Sequence, residues 1–188
     1  MKHFYQDRKF EENWFTYAKF YESMVKKAAN NSIFVEVGSW KGKSSAFMAV
    51  EIINSGKNIA FICVDTWEGS DEHSEYQKGL LYEKFISNTE PVKHIIKPMK
   101  MTSIEAASKF QNQTIDFCFI DASHDYENVK NDINAWLPKV KNNGIIGGHD
   151  YHHNGQYWPG VAKAVQEVFG KDNIKYEGDW WWYDIQRT

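Results

Sequence analysis

Glu36-Val37-Gly38-Ser39-Trp40-Lys41-Gly42-Lys43-Ser44 is the stretch that decides how this chain is read. It follows the β-rich run Ile33-Phe34-Val35 and leads into a helical pattern from Ser44 to Ile53, for which Gly56 is a plausible stop. A glycine turn between a strand and a helix is where open α/β sheets take up nucleotides. Two nucleotide readings fail here on spacing. A triphosphate-binding loop needs four residues between its first glycine and Gly-Lys-Ser/Thr. Gly38 and Gly42 enclose only Ser39-Trp40-Lys41, the position one earlier is Val37, and Glu36 would oppose a triphosphate. A dinucleotide turn needs Gly-x-Gly-x-x-Gly, and the filled turn excludes it. What remains is Glu-x-Gly-x-x-x-Gly, a loop beside a carboxylate.

Working outward, Ile59-Ala60-Phe61-Ile62-Cys63-Val64 is a continuous apolar run, as expected of a strand buried on both faces. It ends on Asp65-Thr66-Trp67. Toward the N-terminus, Phe10, Trp14, Tyr17, Tyr21 and Met24 share one helix face, predicting a helix that ends near Asn30-Asn31. Toward the C-terminus the pattern gives a short strand at His94-Ile95-Ile96, a helix from Ser103 to Phe110, and a strand from Ile115 to Ile120. A helix over Tyr126 to Leu137, a strand at Gly144-Ile145-Ile146-Gly147 and a helix around Val161 to Phe169 follow. The runs Ile174-Lys175-Tyr176 and Trp181-Trp182-Tyr183, joined by Glu177-Gly178-Asp179, signal a hairpin.

This order predicts one α/β domain over residues 1–188. The expected fold is Rossmann-like and doubly wound, a mostly parallel seven-stranded sheet with a C-terminal antiparallel hairpin. Residues 1–31 form a helical extension and 68–92 an insertion over the active site. Ligands of such sheets lie beyond the carboxyl ends of the strands. Acidic side chains stand at four of the five parallel-strand ends: Glu36, Asp65, Asp121 and Asp150.

A formal charge of −3 gives no basic footprint, so no nucleic-acid partner is expected. No apolar run approaches the roughly 20 residues of a membrane span, and the charged start Lys2-His3-Phe4-Tyr5-Gln6-Asp7-Arg8 has no signal-peptide pattern. Cys63 and Cys118 lie in apolar runs and read as reduced core residues of a cytoplasmic protein.

A carboxylate-flanked loop with Asp65 at the next strand end suits a cofactor with a cationic amino-acid end, a ribose diol and no phosphate. S-adenosylmethionine (SAM) is such a cofactor. At this point the sequence resembles the class I SAM-dependent methyltransferases, in the subgroup of sugar and antibiotic O-methyltransferases (family 24 type). The segments that carry the resemblance are Glu36 to Ser44, Cys63-Val64-Asp65-Thr66-Trp67, Phe119-Ile120-Asp121-Ala122-Ser123-His124-Asp125-Tyr126-Glu127 and Gly147-Gly148-His149-Asp150-Tyr151. The resemblance implies that Glu36, Gly38 and Gly42 shape the methionine end of the SAM pocket. It puts Asp65 on the ribose, Trp67 near the adenine and Ser103 facing the adenine ring. Ser39, Ser44, Thr66, Asp121 and His124 complete the expected cofactor-binding set. Relatives often carry a carboxylate pair as metal ligands where this chain has His149-Asp150.

Asp121 ends an apolar strand, where an acid is a poor packing residue, and Ser123 and Asp125 are better placed to cap the next helix. Strands four and five are expected as neighbours, so Asp121, His149 and Asp150 converge. Two carboxylates and an imidazole make a site for Mg²⁺ or Mn²⁺. The expected catalytic groups are His149 as general base, His124 as its alternative and Asp121. His152 and His153 read as surface residues, Trp180-Trp181-Trp182 as packing at a sheet edge, and Lys41 and Lys43 as a solvated face.

The expected activity is transfer of the SAM methyl group to a hydroxyl of a small acceptor, with a sugar or glycan implied by the resemblance. The alternatives are a nicotinamide-dependent oxidoreductase on a similar sheet and a non-catalytic SAM-binding domain. The aromatic N-terminal helix is a candidate homodimer face.

Overall fold

A computed structural model describes residues 1–10, 13–69 and 80–186, apart from the Arg8 side chain. Seven strands form one sheet: β1 (Ser32–Val37), β2 (Ile59–Asp65), β3 (Ile96–Lys100), β4 (Ile115–Ile120), β5 (Val140–Gly148), β6 (Lys175–Glu177) and β7 (Trp180–Asp184). Their order is β3-β2-β1-β4-β5-β7-β6. The first five pair in parallel, while β7 runs antiparallel to β5 and to β6. The strand order reverses between β1 and β4, the position where such sheets open a crevice.

Alternation along each strand sends side chains to two different cores. Val35, Val37, Ile62, Val64, Cys118 and Ile120 face one side. That side is covered by α4 (Ser103–Ala107), α5 (Tyr126–Trp136) and α6 (Pro159–Phe169). Phe34, Phe61, Cys63, Phe117 and Phe119 face the other side. There they meet α1 (Ala18–Lys27), α2 (Lys43–Ser55) and α3 (Leu80–Thr89). The doubly wound reading of the sequence therefore holds, and both cysteines are buried thiols.

Some boundaries differ from expectation. α1 begins at Ala18, not near Phe10; Phe10 closes a short 3-10 turn, and Trp14 is exposed. The aromatic face at the start of α1 turns inward: Tyr17, just before it, and Tyr21 pack against Phe119 with ring centroids 4.5 and 5.1 Å away. That face is buried within the chain. β3 starts at Ile96, and the loop after it shrinks because Thr102 caps α4 in a capping box with Glu105. β5 is longer than the expected run and takes in both Gly147 and Gly148. Trp180, Trp181 and Trp182 lie on β7, one strand in from the edge, which is β6.

Of the expected insertion, 70–79 lie outside the described residues. Within the rest, α3 packs Phe85 and Tyr82 against Trp67, with ring centroids 4.7 and 4.8 Å away. Among the described residues no helix is long and apolar enough to cross a membrane.

Candidate active site

The floor of the site is the contact between β1 and β4 at the reversal point. Gly38 has φ +87°, and a Cβ there would lie 1.9 Å from the Asp121 carbonyl oxygen. The Asp121 N–H donates to the Val37 carbonyl at 2.7 Å, and the Gly38 N–H to that of Val64 at 2.8 Å. A glycine at 38 is thus required twice over, by its dihedral and by the close approach.

Glu36 points from β1 toward the helices and is 1% exposed. It accepts hydrogen bonds from Tyr21 Oη at 3.0 Å, from Ser39 Oγ at 2.9 Å and from Ser45 Oγ. Burial raises its carboxyl, and the Ser45, Ser44, Ser39 and Tyr21 hydroxyls pull it back. In this arrangement Glu36 braces the glycine loop from beneath. Asp65 braces it from the side. Its Oδ2 accepts the N–H groups of Ser39 and Trp40 at 2.9 and 2.8 Å, and its Oδ1 that of Trp67 at 2.7 Å. Burial raises this carboxyl as well, opposed by those three backbone donors.

The remaining residues of the expected cofactor set divide by exposure. Ser39 and Ser44 are buried in the loop and the first turn of α2, whereas Thr66 is half-buried beyond β2. Gly42 adopts φ +83° against Thr89 and Phe85. The Trp67 ring is fully buried, its Nε1 donating to the Trp40 carbonyl at 2.8 Å. It forms a wall behind the loop rather than an open face. Ser103 begins α4, where its Oγ accepts the Trp136 indole N–H at 2.9 Å. Lys41 is 2% exposed, not solvated; its Nζ lies 5.8 Å from the centroid of the Trp40 ring.

At the ends of β4 and β5 the acidic residues do converge. Asp121, His124 and Asp150 each present one ligand atom, and all three atoms lie within 4.8 Å of one another. His124 Nε2 is 3.0 Å from Asp150 Oδ2. Asp125 instead caps α5, accepting the Asn128 N–H at 3.0 Å, so Asp121 is free of that duty. A shallow cleft opens here, lined by Asp121, Ser123, His124, His149, Asp150 and Trp181 among others.

His149 joins Asp121 and Asp150 as expected, in a more enclosed position. It is 7% exposed and surrounded by acids. Its Nδ1 lies 3.1 Å from Asp150 Oδ2 and 3.5 Å from Asp121 Oδ1, and its Nε2 lies 3.2 Å from Asp179 Oδ2. Thr16 Oγ1 stands 3.0 Å from the same Nε2 and donates to Asp179 Oδ1 at 2.7 Å. Burial alone would depress this imidazole, but the charge of Asp121 and the bonds to Asp121, Asp150 and Asp179 push it up to about 12. His149 is therefore an imidazolium with both nitrogens engaged. Both of its nitrogens face carboxylates, which favours the charged ring. The donor atoms that meet within 4.8 Å are those of Asp121, His124 and Asp150. Asp150, which burial alone would raise, is held well below the usual carboxylate range by His124 and His149.

Three residues of this site escaped the sequence reading: Thr16, Tyr17 and Asp179. Tyr17 Oη donates to Asp121 Oδ2 at 2.7 Å. Asp179 sits in the β6–β7 turn, and its carbonyl accepts the Tyr151 N–H at 2.8 Å. The antiparallel hairpin signal beside Gly147-Gly148 was the available clue, since it brings the turn next to residue 150.

The anionic donor set fits SAM. Asp65, Asp121 and Asp150 stand half-buried at three strand ends, matching a ligand with sulfonium and ammonium charges.

Comparison with known proteins agrees with this geometry. A family model described as a methyltransferase domain matches residues 35–151. The uncharacterized protein y4gI of Sinorhizobium fredii is 29% identical over 136 residues, 68% of this chain but only 15% of that protein. The solved structure of the O-methyltransferase NovP is similar with a TM-score of 0.61 at 16% identity, covering 90% of this chain and 79% of that one. That of CalS11, a TDP-rhamnose 3'-O-methyltransferase of calicheamicin biosynthesis, is similar with a TM-score of 0.61 at 15% identity, over 89% of this chain and 76% of that one. The nicotinamide oxidoreductase reading falls with the family match: the chain belongs to the methyltransferase-domain family.

Proposed function

We propose that this protein transfers the SAM methyl group to a hydroxyl of a small, hydroxylated acceptor such as a sugar, with Mg²⁺ or Mn²⁺ held by Asp121, His124 and Asp150. The observation that carries this reading is the convergence of those three donors beyond the ends of two adjacent parallel strands. Similarity to NovP and CalS11 supports oxygen as the accepting atom and a sugar as its bearer.

When bound, SAM supplies an electrophilic methyl group and the dication supplies Lewis acidity that lowers the pKa of a hydroxyl. The chain's own residues arrange the partners. Gly38 and the loop after it keep the floor close to Asp121, so the acceptor oxygen can be aligned for in-line displacement. Tyr17 fixes the rotamer of Asp121 through Oδ2. The His149 imidazolium offsets part of the carboxylate charge and orients Asp121 and Asp150 together. Asp179 and Thr16 hold that imidazolium from its far side.

A second, metal-free reading rests on the 3.0 Å contact of His124 Nε2 with Asp150. If Nε2 carries the proton and donates it to that carboxylate, Nδ1 is left to take the acceptor's proton. Labelled SAM offered to a panel of sugars and glycosides, with and without chelator, tests both. Loss of transfer on chelation, restored by Mn²⁺ in the parent but not in Asp150→Asn, is expected. Full activity in chelator would overturn the metal and leave His124 as base. No transfer to any hydroxylated acceptor would overturn the proposal itself.

A further inference from the structure

Above His124 the chain builds a feature that the chemistry so far leaves unused. Trp158 has φ 46° and ψ 58°, a left-handed conformation that an aromatic residue seldom adopts, immediately before Pro159. Such strain persists where the surroundings enforce it. Two contacts do so. Gly160 packs so closely that a Cβ there would lie 2.5 Å from the His124 carbonyl oxygen and 2.6 Å from the Tyr126 nitrogen. The Trp158 carbonyl also accepts the Val161 N–H at 3.0 Å, closing the first turn of α6. The result is an indole stacked on the His124 imidazole, centroids 4.0 Å apart and planes 20° from parallel. Trp158 nevertheless remains 41% exposed, next to Tyr157 at 60%.

One face of the indole lies on His124, so a ring stacked on its outer face stands about 8 Å from the imidazole, twice the observed spacing. That is too far for the ring whose hydroxyl meets Asp121, His124 and Asp150, and suited to the ring attached to it. Among the described residues that line the cleft there is no Lys or Arg. Its acidic members, Asp121 and Asp150, disfavour a phosphate-bearing attachment.

We propose that Trp158 is the platform of a second acceptor subsite, and that the acceptor is a neutral glycoside of at least two rings. The methylated sugar lies at the Asp121–His124–Asp150 cluster, and the ring joined to it through the glycosidic oxygen stacks on the indole. This rests on the reading of the cluster as the methyl-transfer site, and it adds a specificity-determining residue and an acceptor size to it.

Matched pairs of phenyl and methyl glycosides of glucose and rhamnose test the subsite, since each pair differs only in the second ring. Binding is followed by NMR on protein saturated with S-adenosylhomocysteine. The phenyl member is expected to bind about tenfold tighter, a ratio that falls to near one in Trp158→Ala and is largely kept in Trp158→Phe. The affinity for S-adenosylhomocysteine, measured by calorimetry, should match the parent in both variants. Should Trp158→Ala fail to fold, the parent alone decides: phenyl glucoside must shift the Trp158 Nε1–H resonance, and methyl glucoside must not. Equal binding within each pair, an unmoved Trp158 resonance, or tighter binding of TDP-rhamnose than of phenyl rhamnoside overturns the inference. Failure to bind S-adenosylhomocysteine would instead strike at the proposed function, so the two failures are told apart.

Discussion

The phenol of Tyr17 donates to Oδ2 of Asp121 at 2.7 Å, so a residue just ahead of the first helix sets the orientation of the acid that ends the fourth strand. Asp121 Oδ1 is left facing His149. Removing the phenol oxygen should misalign the acid without disturbing the glycine loop. Tyr17→Phe is expected to slow methyl transfer about tenfold, the worth of one hydrogen bond to a charged group, while S-adenosylhomocysteine affinity stays within about threefold. Equal loss of affinity and rate would make Tyr17 a packing residue only.

His149 should behave as a structural cation. In metal-free protein, His149→Ala leaves half-buried carboxylates facing one another and should cost about 3 kcal/mol in urea unfolding. The pH dependence follows from a raised pKa. Stabilisation is complete below the unfolded value of about 6.5 and is lost as pH rises toward about 12. Between pH 7 and 9 the parent should therefore lose stability relative to the variant. Parallel curves would contradict the assignment.

Asp65 is tied to three loop amides, so its removal should loosen the loop as well as any contact with the cofactor. Asp65→Ala is expected to lower the melting temperature and to weaken S-adenosylhomocysteine by about 1.5–3 kcal/mol together. A large loss of affinity at unchanged melting temperature would show that the loop stands without it.

Asp132, on α5, is 6% exposed, and burial pushes its carboxyl up to about 6 despite a hydrogen bond from Ser103. A raised acid destabilises the fold once ionised, so the protein should gain stability from this group as pH falls from about 6 toward about 4. Asp132→Asn should stabilise the protein by about 2 kcal/mol at pH 7.5 and by little at pH 4. Denaturant titrations at the two pH values check it.

Which parts of this molecule could be read in advance follows from the range of the interactions involved. β2 and β4 were legible because an unbroken apolar run stopped by an acid has few other meanings, and Asp65 and Asp121 marked those stops. The start of α1 was not legible. Phe10 and Trp14 continue the aromatic spacing of Tyr17 and Tyr21, yet Trp14 is exposed and the segment is held by Thr16 instead. Asp121 and Asp150 could be named from local pattern alone. Tyr17 could not, since a tyrosine on an aromatic helix face reads as core. The enclosure of His149 was hidden for the same reason: Asp179 reaches its Nε2 only because β7 pairs with β5.

The link between Thr16 and Asp179 spans 163 residues. Local contacts close early in folding and distant ones late, because a long loop must first lose its freedom. On the ribosome the N-terminal segment emerges long before the turn that completes its pairing. A nascent chain ending at Tyr151 would contain every residue that the family model matches, yet lack Trp158 and Asp179. Competence for chemistry should therefore wait until the β6–β7 hairpin has been made and docks against β5.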